Sequence, residues 1–240
     1  MKNLLVKSLF QIKDTNWHIR DRSNETDLYE KYLEMHRISV GSYKRHLKGE
    51  WELKFIQGTV ENVNDAFKKT FTAVYDIWRQ GGVNIFYTDP DTVAVRDIDP
   101  WAMSDHFMMF NYTDPKKFDK PNRWNRKFDN FFNAGVRLFP AGMSQSTWDI
   151  GLKMFKDWDN STYDTEQIIL NSMLWDQGLK LSQVLRPQWA YQAQWLPDQS
   201  PIWYQDCWNG ICINQSLIVH THSSRDIDKK LNLMKQLIPQ

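Results

Sequence analysis

The sequence predicts an α/β protein with a mostly parallel central sheet flanked by helices. Apolar, β-branched runs typical of strands alternate in the N-terminal part of the chain with longer stretches of helical periodicity. Alternation of this βαβ kind builds parallel sheets. The 240 residues contain no repeat, low-complexity segment or linker, and this length is enough for one large α/β domain. We therefore expect residues 1–240 to form a single domain.

Composition excludes several classes of function. Lys and Arg total 30 against 29 Asp and Glu, so the sequence has no basic stripe of the kind that binds nucleic acid. The first apolar run is interrupted by Lys7 and is too short for a signal peptide or a membrane span. We therefore expect a cytoplasmic protein without a membrane span. The 12 Trp residues are numerous, and tryptophan suits sugar rings as well as cores.

The first four elements alternate between strand and helix, and they are predicted at residues 4–10, 27–47, 51–56 and 63–79. The two helices are predicted because apolar residues recur at helical spacing, and the second strand because its residues alternate. Asn64 is the expected N-cap of the second helix. Gly81 and Gly82 end that helix, as glycine does where φ becomes positive. The polar residues 11–26 are predicted to form a loop.

Residues 83–99 carry the clearest chemical signal. A buried strand is predicted up to Thr88, then two acids flank a proline at Asp89-Pro90-Asp91, and a second apolar run follows at once. Asp-Pro-Asp is also a common turn sequence. On a continuing strand, Asp89 and Asp91 would instead point to the same face.

Two carboxylates held this close together favour a metal site. Hard oxygen ligands suit Mg²⁺ or Mn²⁺. In open α/β sheets, ligands bind beyond the carboxyl ends of the strands, which is where Asp89 and Asp91 are predicted to lie.

The second half of the chain continues the α/β pattern. Residues 101–130 are polar and aromatic without sustained periodicity, so we expect a functional loop or short helices there. Small residues inside the next strand indicate a close approach by a ligand or another strand, or a β-bulge. This strand is predicted at residues 131–140 and is followed by two helices at 146–157 and 165–175. A last short strand is predicted at 217–219, and a Lys-rich helix at the C-terminus.

Four motifs in this order resemble one enzyme family. They are the strand ending in Asp89-Pro90-Asp91, the segment Asn133-Ala134-Gly135, the helix start at Glu166-Gln167 with Asn171, and the strand end at His220. Together they resemble the GT-A class of nucleotide-sugar-dependent glycosyltransferases, particularly its glycogenin-like and related retaining branches. The resemblance covers about residues 4–230 and implies a GT-A (Rossmann-like) domain.

The resemblance implies a metal centre. Asp89 and Asp91 would hold Mn²⁺ (or Mg²⁺) on the donor's diphosphate, and His220 would complete the set of ligands, with His222 as the alternative. Basic residues after this histidine contact the diphosphate in the family, and Arg225 is the nearest equivalent. Family members carry a glycine and a lysine there, so the Ser223-Ser224-Arg225 sequence departs from the pattern.

The resemblance also implies a donor site for a UDP- or GDP-linked sugar. Glu166 and Gln167 would lie near the reacting carbon, although the acid of the family is one methylene shorter. In nucleotide-binding α/β folds the end of the first strand contacts the nucleotide, which makes Ser8, Leu9 and Phe10 candidates for this contact. These three residues could equally belong to the ordinary core and the loop that follows it. The expected donor-binding residues are Ser8, Leu9, Phe10, Thr88, Asn133, Ala134, Gly135, His222 and Arg225.

The predicted reaction moves a hexose or pentose from the nucleoside-diphosphate donor to a glycan or glycoprotein acceptor. The glycogenin-like resemblance favours retention, which needs no carboxylate base. Inversion would need one, with Glu166 or Asp164 as candidates. Aromatic residues at 189–208 form a candidate acceptor platform, with Trp195, Trp203 and Trp208 as its expected contacts.

Two other readings remain open. A nucleotidyltransferase or phosphohydrolase would use the same acids, with Asp97 and Asp99 as further carboxylates. A non-catalytic carbohydrate-binding protein would use the tryptophans, and it predicts a mostly antiparallel β chain in place of the strong helix signals.

Overall fold

The computed structural model describes residues 1–13, 27–113, 124–158, 165–180, 190–192, 207–208, 211–212, 216–221 and 227–238. The strands are β1 Lys2–Ile12, β2 Glu52–Val60, β3 Val83–Thr88, β4 Thr92–Ala94, β5 Met108–Thr113, β6 Phe131–Phe139, β7 Ala190–Gln192, β8 Cys207–Trp208, β9 Ile211–Cys212 and β10 Ile218–His220. The helices are α1 Leu28–His46, α2 Val63–Trp78, α3 Gln145–Lys156, α4 Thr165–Asp176 and α5 Ile227–Leu237, with a 3₁₀ turn at Pro100–Ala102.

The central sheet has five strands in the order β2-β1-β3-β6-β5. Strand β1 pairs in parallel with both β2 and β3, whereas β6 is antiparallel to its neighbours β3 and β5. Four of the five strands therefore run in the same direction. The α/β class with a mostly parallel sheet, predicted from the alternation of periods, is confirmed.

Helices cover both faces of this sheet. Neighbouring residues on a strand point to opposite faces, and on β1 the side chain of Lys7 bonds to Ser39 of α1 while that of Ser8 bonds to Thr70 of α2. Helices α1 and α2 therefore lie on opposite faces. Helix α3 joins the α2 face, because its Trp148 packs edge-on against Phe71 of α2.

An aromatic cluster fills the core on the α2 face. Trp148 is fully buried and stacks on Phe139 of β6 at 5.1 Å between ring centroids. Its ring also contacts Tyr75 and Trp78 at 5.1 and 5.6 Å. Many of the aromatic residues are thus core residues, and their burial supplies much of the hydrophobic driving force.

A second, smaller sheet lies beside the first. Its order is β4-β10-β7, with β10 antiparallel to β4 and parallel to β7. Helix α5 packs on this sheet and on α1, and its Met234 joins Met35 of α1 and Val219 of β10 in one apolar cluster. In the part of the chain that the structure describes, no helix is long and apolar enough to cross a membrane.

Two local predictions were wrong. Helix α2 is capped by Asn62, whose side chain accepts a hydrogen bond from the Asp65 N–H, because Asn62 is extended and Asn64 already lies inside the first turn. The segment 101–130 contains strand β5, which forms the edge of the sheet beside β6. Of the two alternatives for Asp-Pro-Asp, the structure has the turn and not the continuing strand, because β3 ends at Thr88 and β4 begins at Thr92.

Candidate functional site

Asp89-Pro90-Asp91 forms a turn between the two sheets. The Thr92 N–H donates to the Asp89 carbonyl at 3.3 Å and closes this turn. The Asp89 N–H donates to the Gly135 carbonyl on β6 at 2.8 Å, which anchors the turn to the central sheet. The chain thus leaves the central sheet at one acid and enters the small sheet just after the other. Both acids lie at the carboxyl end of β3, where α/β sheets bind ligands.

A potential metal-binding group lies at this turn. Ligand atoms of Asp89, Asp91 and His220 all lie within 4.8 Å of one another, and among the described residues this is the single group of three or more His, Cys, Asp or Glu side chains that can hold a metal ion. His220 Nε2 lies 3.0 Å from Asp91 Oδ1 and 4.0 Å from Asp89 Oδ2. Two carboxylates and one imidazole are a donor set that fits Mn²⁺ or Mg²⁺.

Pairing between β10 and β4 places His220 next to the two acids. His220 lies opposite Thr92 in the register of the two strands. The next residue, Thr221, donates both its N–H and its hydroxyl to the Asp91 carbonyl, each at 2.9 Å. The histidine and the second acid are therefore fixed to each other through backbone contacts as well as side chains.

Gly135 provides the space for the His220 ring. A Cβ atom at this position would lie 2.5 Å from His220 Cε1 and 2.9 Å from Asn133 Oδ1, well inside van der Waals contact. The group that approaches Gly135 is the His220 side chain, not a ligand or a neighbouring strand. The register between β5 and β6 also shifts beside it, between Met109 and Asn111, as the β-bulge alternative expected. The expected contact of Gly135 with the donor sugar stays a prediction.

Lys230 of α5 adds a cation to the acidic pair. Its Nζ lies 3.2 Å from Asp91 Oδ2, while Asp91 Oδ1 faces His220. Both oxygens of the Asp91 carboxylate are thus in contact with a basic side chain. The position also places an ammonium group beside the candidate metal centre, where a phosphate group would be attracted to it.

A second cation lies beneath the turn. Lys7 is fully buried, and its ammonium donates to Ser39 Oγ at 2.6 Å, to Thr88 Oγ1 at 2.7 Å and to the Asp89 carbonyl at 3.1 Å. Burial lowers the pKa of Lys7 to about 7, against the opposing attraction of the Asp89 and Asp91 carboxylates. Lys7 also lies 5.0 Å from the centroid of the Tyr43 ring.

Glu166 is held in a buried ion pair. Its Oε1 accepts a hydrogen bond from Arg137 Nη1 at 2.7 Å, and the guanidinium stacks 4.0 Å from the centroid of the Tyr87 ring. Burial raises the pKa of Glu166, while the Arg137 guanidinium acts in the opposite direction and the Asp89 carboxylate raises it further. Because a buried carboxylate this close to an arginine is stabilised as the anion, we assign the pair as ionised.

The neighbouring polar residues link α4 to β6. Asn133 Nδ2 donates to Gln167 Oε1 at 3.2 Å. Asn171 accepts from the Phe132 N–H and donates to the Phe132 carbonyl, both at 2.8 Å. Strand β3 pairs with β6 only as far as Val136. At Phe132 the Asn171 side chain therefore makes the backbone hydrogen bonds that a neighbouring strand makes elsewhere on β6. The Glu166-Gln167 and Asn133-Gly135 motifs are therefore neighbours in space.

The remaining predicted donor residues that the structure describes lie on strands β1, β3 and β6. The Ser8 hydroxyl hydrogen-bonds to the Tyr87 hydroxyl at 2.7 Å and accepts from Thr70, so it belongs to the packing against α2. Leu9 is buried, and Phe10 is half-buried near Gly58. Thr88 bonds to Lys7 and Ala134 is buried. Their contact with a donor stays a prediction.

Several predicted residues lie outside the described part of the chain: His222, Arg225, Asp164, Trp195 and Trp203. Trp208 lies on β8, whose backbone alone is described. The choice between His220 and His222 as ligand, the diphosphate contact of Arg225 and the acceptor platform stay predictions.

Sequence reasoning missed three basic residues of the site: Lys7, Arg137 and Lys230. Lys7 and Arg137 each interrupt an apolar strand, and a charge in a strand that is otherwise buried is a usable signal of a polar network. Lys230 gave no such signal, since it is one of several lysines in an amphipathic helix.

The fold agrees with one comparison to a solved structure. The chain is similar to the WbbM bifunctional glycosyltransferase at a TM-score of 0.53 and 11% identity, over 97% of this chain and 49% of that one. Two further likenesses have lower TM-scores. A glycosyltransferase involved in the glycosylation of the major capsid of PBCV-1 has a TM-score of 0.49 and 12% identity, over 98% of this chain and 100% of that one. The galactosyltransferase LgtC has a TM-score of 0.46 and 12% identity, over 99% of this chain and 98% of that one.

The sequence itself matches no protein-family model and no curated protein. The chain spans about half the length of WbbM, and at this identity the likeness concerns the fold. The chain therefore has the GT-A glycosyltransferase fold expected from its motifs: an α/β domain with a mostly parallel central sheet flanked by helices, carrying an Asp-Asp-His group at the end of its third strand.

Proposed function

We propose that this protein is a metal-dependent glycosyltransferase that moves a hexose or pentose from a nucleoside-diphosphate sugar to a glycan or glycoprotein acceptor, with retention. The observation that carries the proposal is the group formed by Asp89, Asp91 and His220, whose ligand atoms lie within 4.8 Å of one another at the carboxyl end of β3. A site for a divalent cation at this edge of a glycosyltransferase fold fits a diphosphate ligand.

Each residue of the site has a separate role in the proposed reaction. Asp89, Asp91 and His220 would hold Mn²⁺ (or Mg²⁺), which would supply Lewis-acid stabilisation of the departing diphosphate. Lys230 adds positive charge next to Asp91, where it stabilises negative charge that develops on the leaving group. Asn133 and Gln167 offer amide groups to the hydroxyls of the donor sugar.

The environment of Glu166 supports retention. A catalytic base must be free to take a proton from the acceptor hydroxyl, but the Glu166 carboxylate is buried and bonded to Arg137 at 2.7 Å. We infer that this ion pair shapes the donor pocket and that the leaving phosphate takes the acceptor proton. The UDP or GDP base, the contacts of Trp195, Trp203 and Trp208 with the acceptor, the single-domain organisation and the cytoplasmic location belong to the proposal as predictions.

The alternative phosphate-enzyme reading has less support. It expects Asp97 and Asp99 to join the first two acids. Within the described residues neither belongs to the metal-binding group, and Asp97 is instead paired with Lys48 at 2.6 Å and His46 at 3.2 Å on the surface. The carbohydrate-binding reading predicted a mostly antiparallel β chain, whereas the central sheet is mostly parallel.

Thermal shifts with nucleotides test the proposed function. The panel contains UDP, GDP, ADP and their common sugar conjugates, each with Mn²⁺ and with EDTA. A ligand present at 100 times its Kd stabilises the native state by about 2.7 kcal/mol, which raises the Tm of a protein of this size by roughly 5 to 10 °C. We expect such a shift for one nucleotide family, only in the presence of Mn²⁺.

Two matched variants locate the binding site. Asp91→Asn keeps the shape of the side chain but removes the charge, and we expect it to abolish the Mn²⁺-dependent shift. Asp99→Asn, an exposed position on the same segment, should behave as the parent. The proposal fails if no nucleotide shifts the Tm of the parent, or if Asp91→Asn retains the full shift.

A further inference from the structure

Lys7 is a buried charged residue that contacts the Asp89-Pro90-Asp91 turn. It lies in the middle of β1, fully buried, and its ammonium donates at 2.6 to 3.1 Å to two hydroxyls and a backbone carbonyl, but to no carboxylate within the described residues. A fourth contact, to the Thr88 carbonyl, is 3.4 Å long. Removing an ammonium group from water is costly even when it is hydrogen-bonded.

These contacts reach both ends of the Asp-Pro-Asp turn. On the first side, Lys7 bonds directly to Thr88 and to the Asp89 carbonyl. On the second side it bonds to Ser39, whose hydroxyl in turn donates to the Thr92 carbonyl. The Thr92 hydroxyl closes the loop by donating to the Asp89 carbonyl at 2.7 Å.

The network is sealed from solvent. Lys7, Ser39, Thr88 and Thr92 are all fully buried. Charge-assisted hydrogen bonds in such surroundings are strong and directional. The backbone on each side of the two acids is therefore held by one cation, directly on one side and through one hydroxyl on the other.

Stability does not explain a lysine at this position. Without Lys7, the Asp89 carbonyl would keep its bonds from the Thr92 N–H and hydroxyl, and Ser39 would keep its bond to the Thr92 carbonyl. An apolar side chain of similar length would thus leave few polar groups unpaired while avoiding the cost of burying a charge. Replacements of this kind are often neutral or stabilising.

We propose that Lys7 is a positioning residue for the candidate metal centre. Its ammonium fixes both ends of the turn and thereby sets the spacing of the Asp89 and Asp91 carboxylates. This inference rests on the proposed function in one respect, namely that these carboxylates bind a divalent cation.

The sign of the effect separates positioning from simple electrostatics. A cation close to a metal site repels the metal, so removal of the charge alone would strengthen metal binding. Loss of positioning weakens it instead, and changes to residues that orient metal ligands typically cost 10- to 100-fold in affinity. The two effects of Lys7 on the metal therefore point in opposite directions.

The experiment measures Mn²⁺ affinity by electron paramagnetic resonance, with Mn²⁺ alone as the probe. Lys7→Met removes the charge at similar length, Ser39→Ala cuts the link to Thr92 while keeping Lys7, and Lys54→Met is a control at an exposed position of β2. Urea unfolding of each variant shows that it is folded. We expect Lys7→Met to bind about tenfold or more weakly, Ser39→Ala to bind severalfold more weakly, and Lys54→Met to match the parent.

Each outcome of this binding experiment supports or refutes the positioning role of Lys7. If the parent binds Mn²⁺ and Lys7→Met binds as tightly or more tightly, the positioning role is refuted while the metal centre stands. If Lys7→Met does not fold, Ser39→Ala decides: weakened binding supports the role, and binding equal to that of the parent refutes it. A parent that binds no Mn²⁺ overturns the proposed function, and this inference with it.

Discussion

Acidification should destabilise the protein through His36. This residue lies on α1, is 7% exposed and stacks on Phe55 of β2 with 4.1 Å between the ring centroids. Within the described part of the chain, its Nδ1 atom has no hydrogen-bond partner. Burial, followed by the positive charges of Lys7 and Arg37, lowers the pKa of His36 from 6.5 to about 4.

The sign and size of the effect follow from this shift. Between pH 6.5 and 4 the unfolded chain binds a proton at His36 that the folded protein does not, so acidification favours unfolding. The contribution of neutral His36 is complete above pH 6.5 and is lost as the pH falls towards 4. A shift of 2.5 units, at about 1.36 kcal/mol per unit, corresponds to a loss of about 3 kcal/mol.

Urea unfolding at pH 7.5, 6, 5 and 4 measures this loss. His36→Phe keeps the stacking on Phe55 but cannot titrate, and His106→Gln is a control at an exposed histidine. Carboxylates also titrate in this range, but they do so in every variant, so the difference between variants isolates His36. We expect the parent and His106→Gln to lose about 3 kcal/mol more than His36→Phe between pH 7.5 and 4. Equal losses in all three proteins would refute the argument.

Substitutions at three positions, Gly135 and Asn171 at the site and Trp148 in the aromatic core, are tested by urea unfolding. Gly135→Ala should cost about 1–3 kcal/mol and weaken Mn²⁺ binding, because its Cβ would lie 2.5 Å from the His220 ring, whereas Gly142→Ala meets no atom within 4 Å and should be neutral. Trp148→Ala should cost about 3–5 kcal/mol. Trp148→Phe should cost much less, because the buried Trp148 Nε1 has no hydrogen-bond partner within the described residues. Asn171→Ala should cost about 1–3 kcal/mol for each backbone group of β6 left unpaired.

Local sequence patterns were sufficient for most of the fold. Helices α1 to α4 and strands β1, β2, β3 and β6 were predicted because apolar periodicity is set by the element's own residues. Strand β5 was missed because its apolar residues lie in a polar, aromatic segment without regular alternation. It becomes a strand through pairing with β6, which is a tertiary contact.

The site was only partly predictable for the same reason. Asp89 and Asp91 stand together in the sequence, and His220, at the end of an apolar strand, was named from the family resemblance with His222 as the alternative. Their partners are distant: Lys7 meets Thr88 across 81 residues and Lys230 meets Asp91 across 139. No local pattern reports such pairings, although a lysine inside an otherwise apolar strand signalled that a buried polar network had to exist.

The turn at Asp-Pro-Asp is compatible with a metal site formed by the same two acids. A strand that continued through both acids would keep them in the central sheet, away from the small sheet that carries His220. Because the chain turns after Thr88, β4 pairs with β10 and His220 comes to lie opposite Thr92, next to the second acid. The turn thus brings together candidate ligands that are 129 residues apart in sequence. A substitution that opens the turn would therefore separate the imidazole from the carboxylates even if all three side chains were kept.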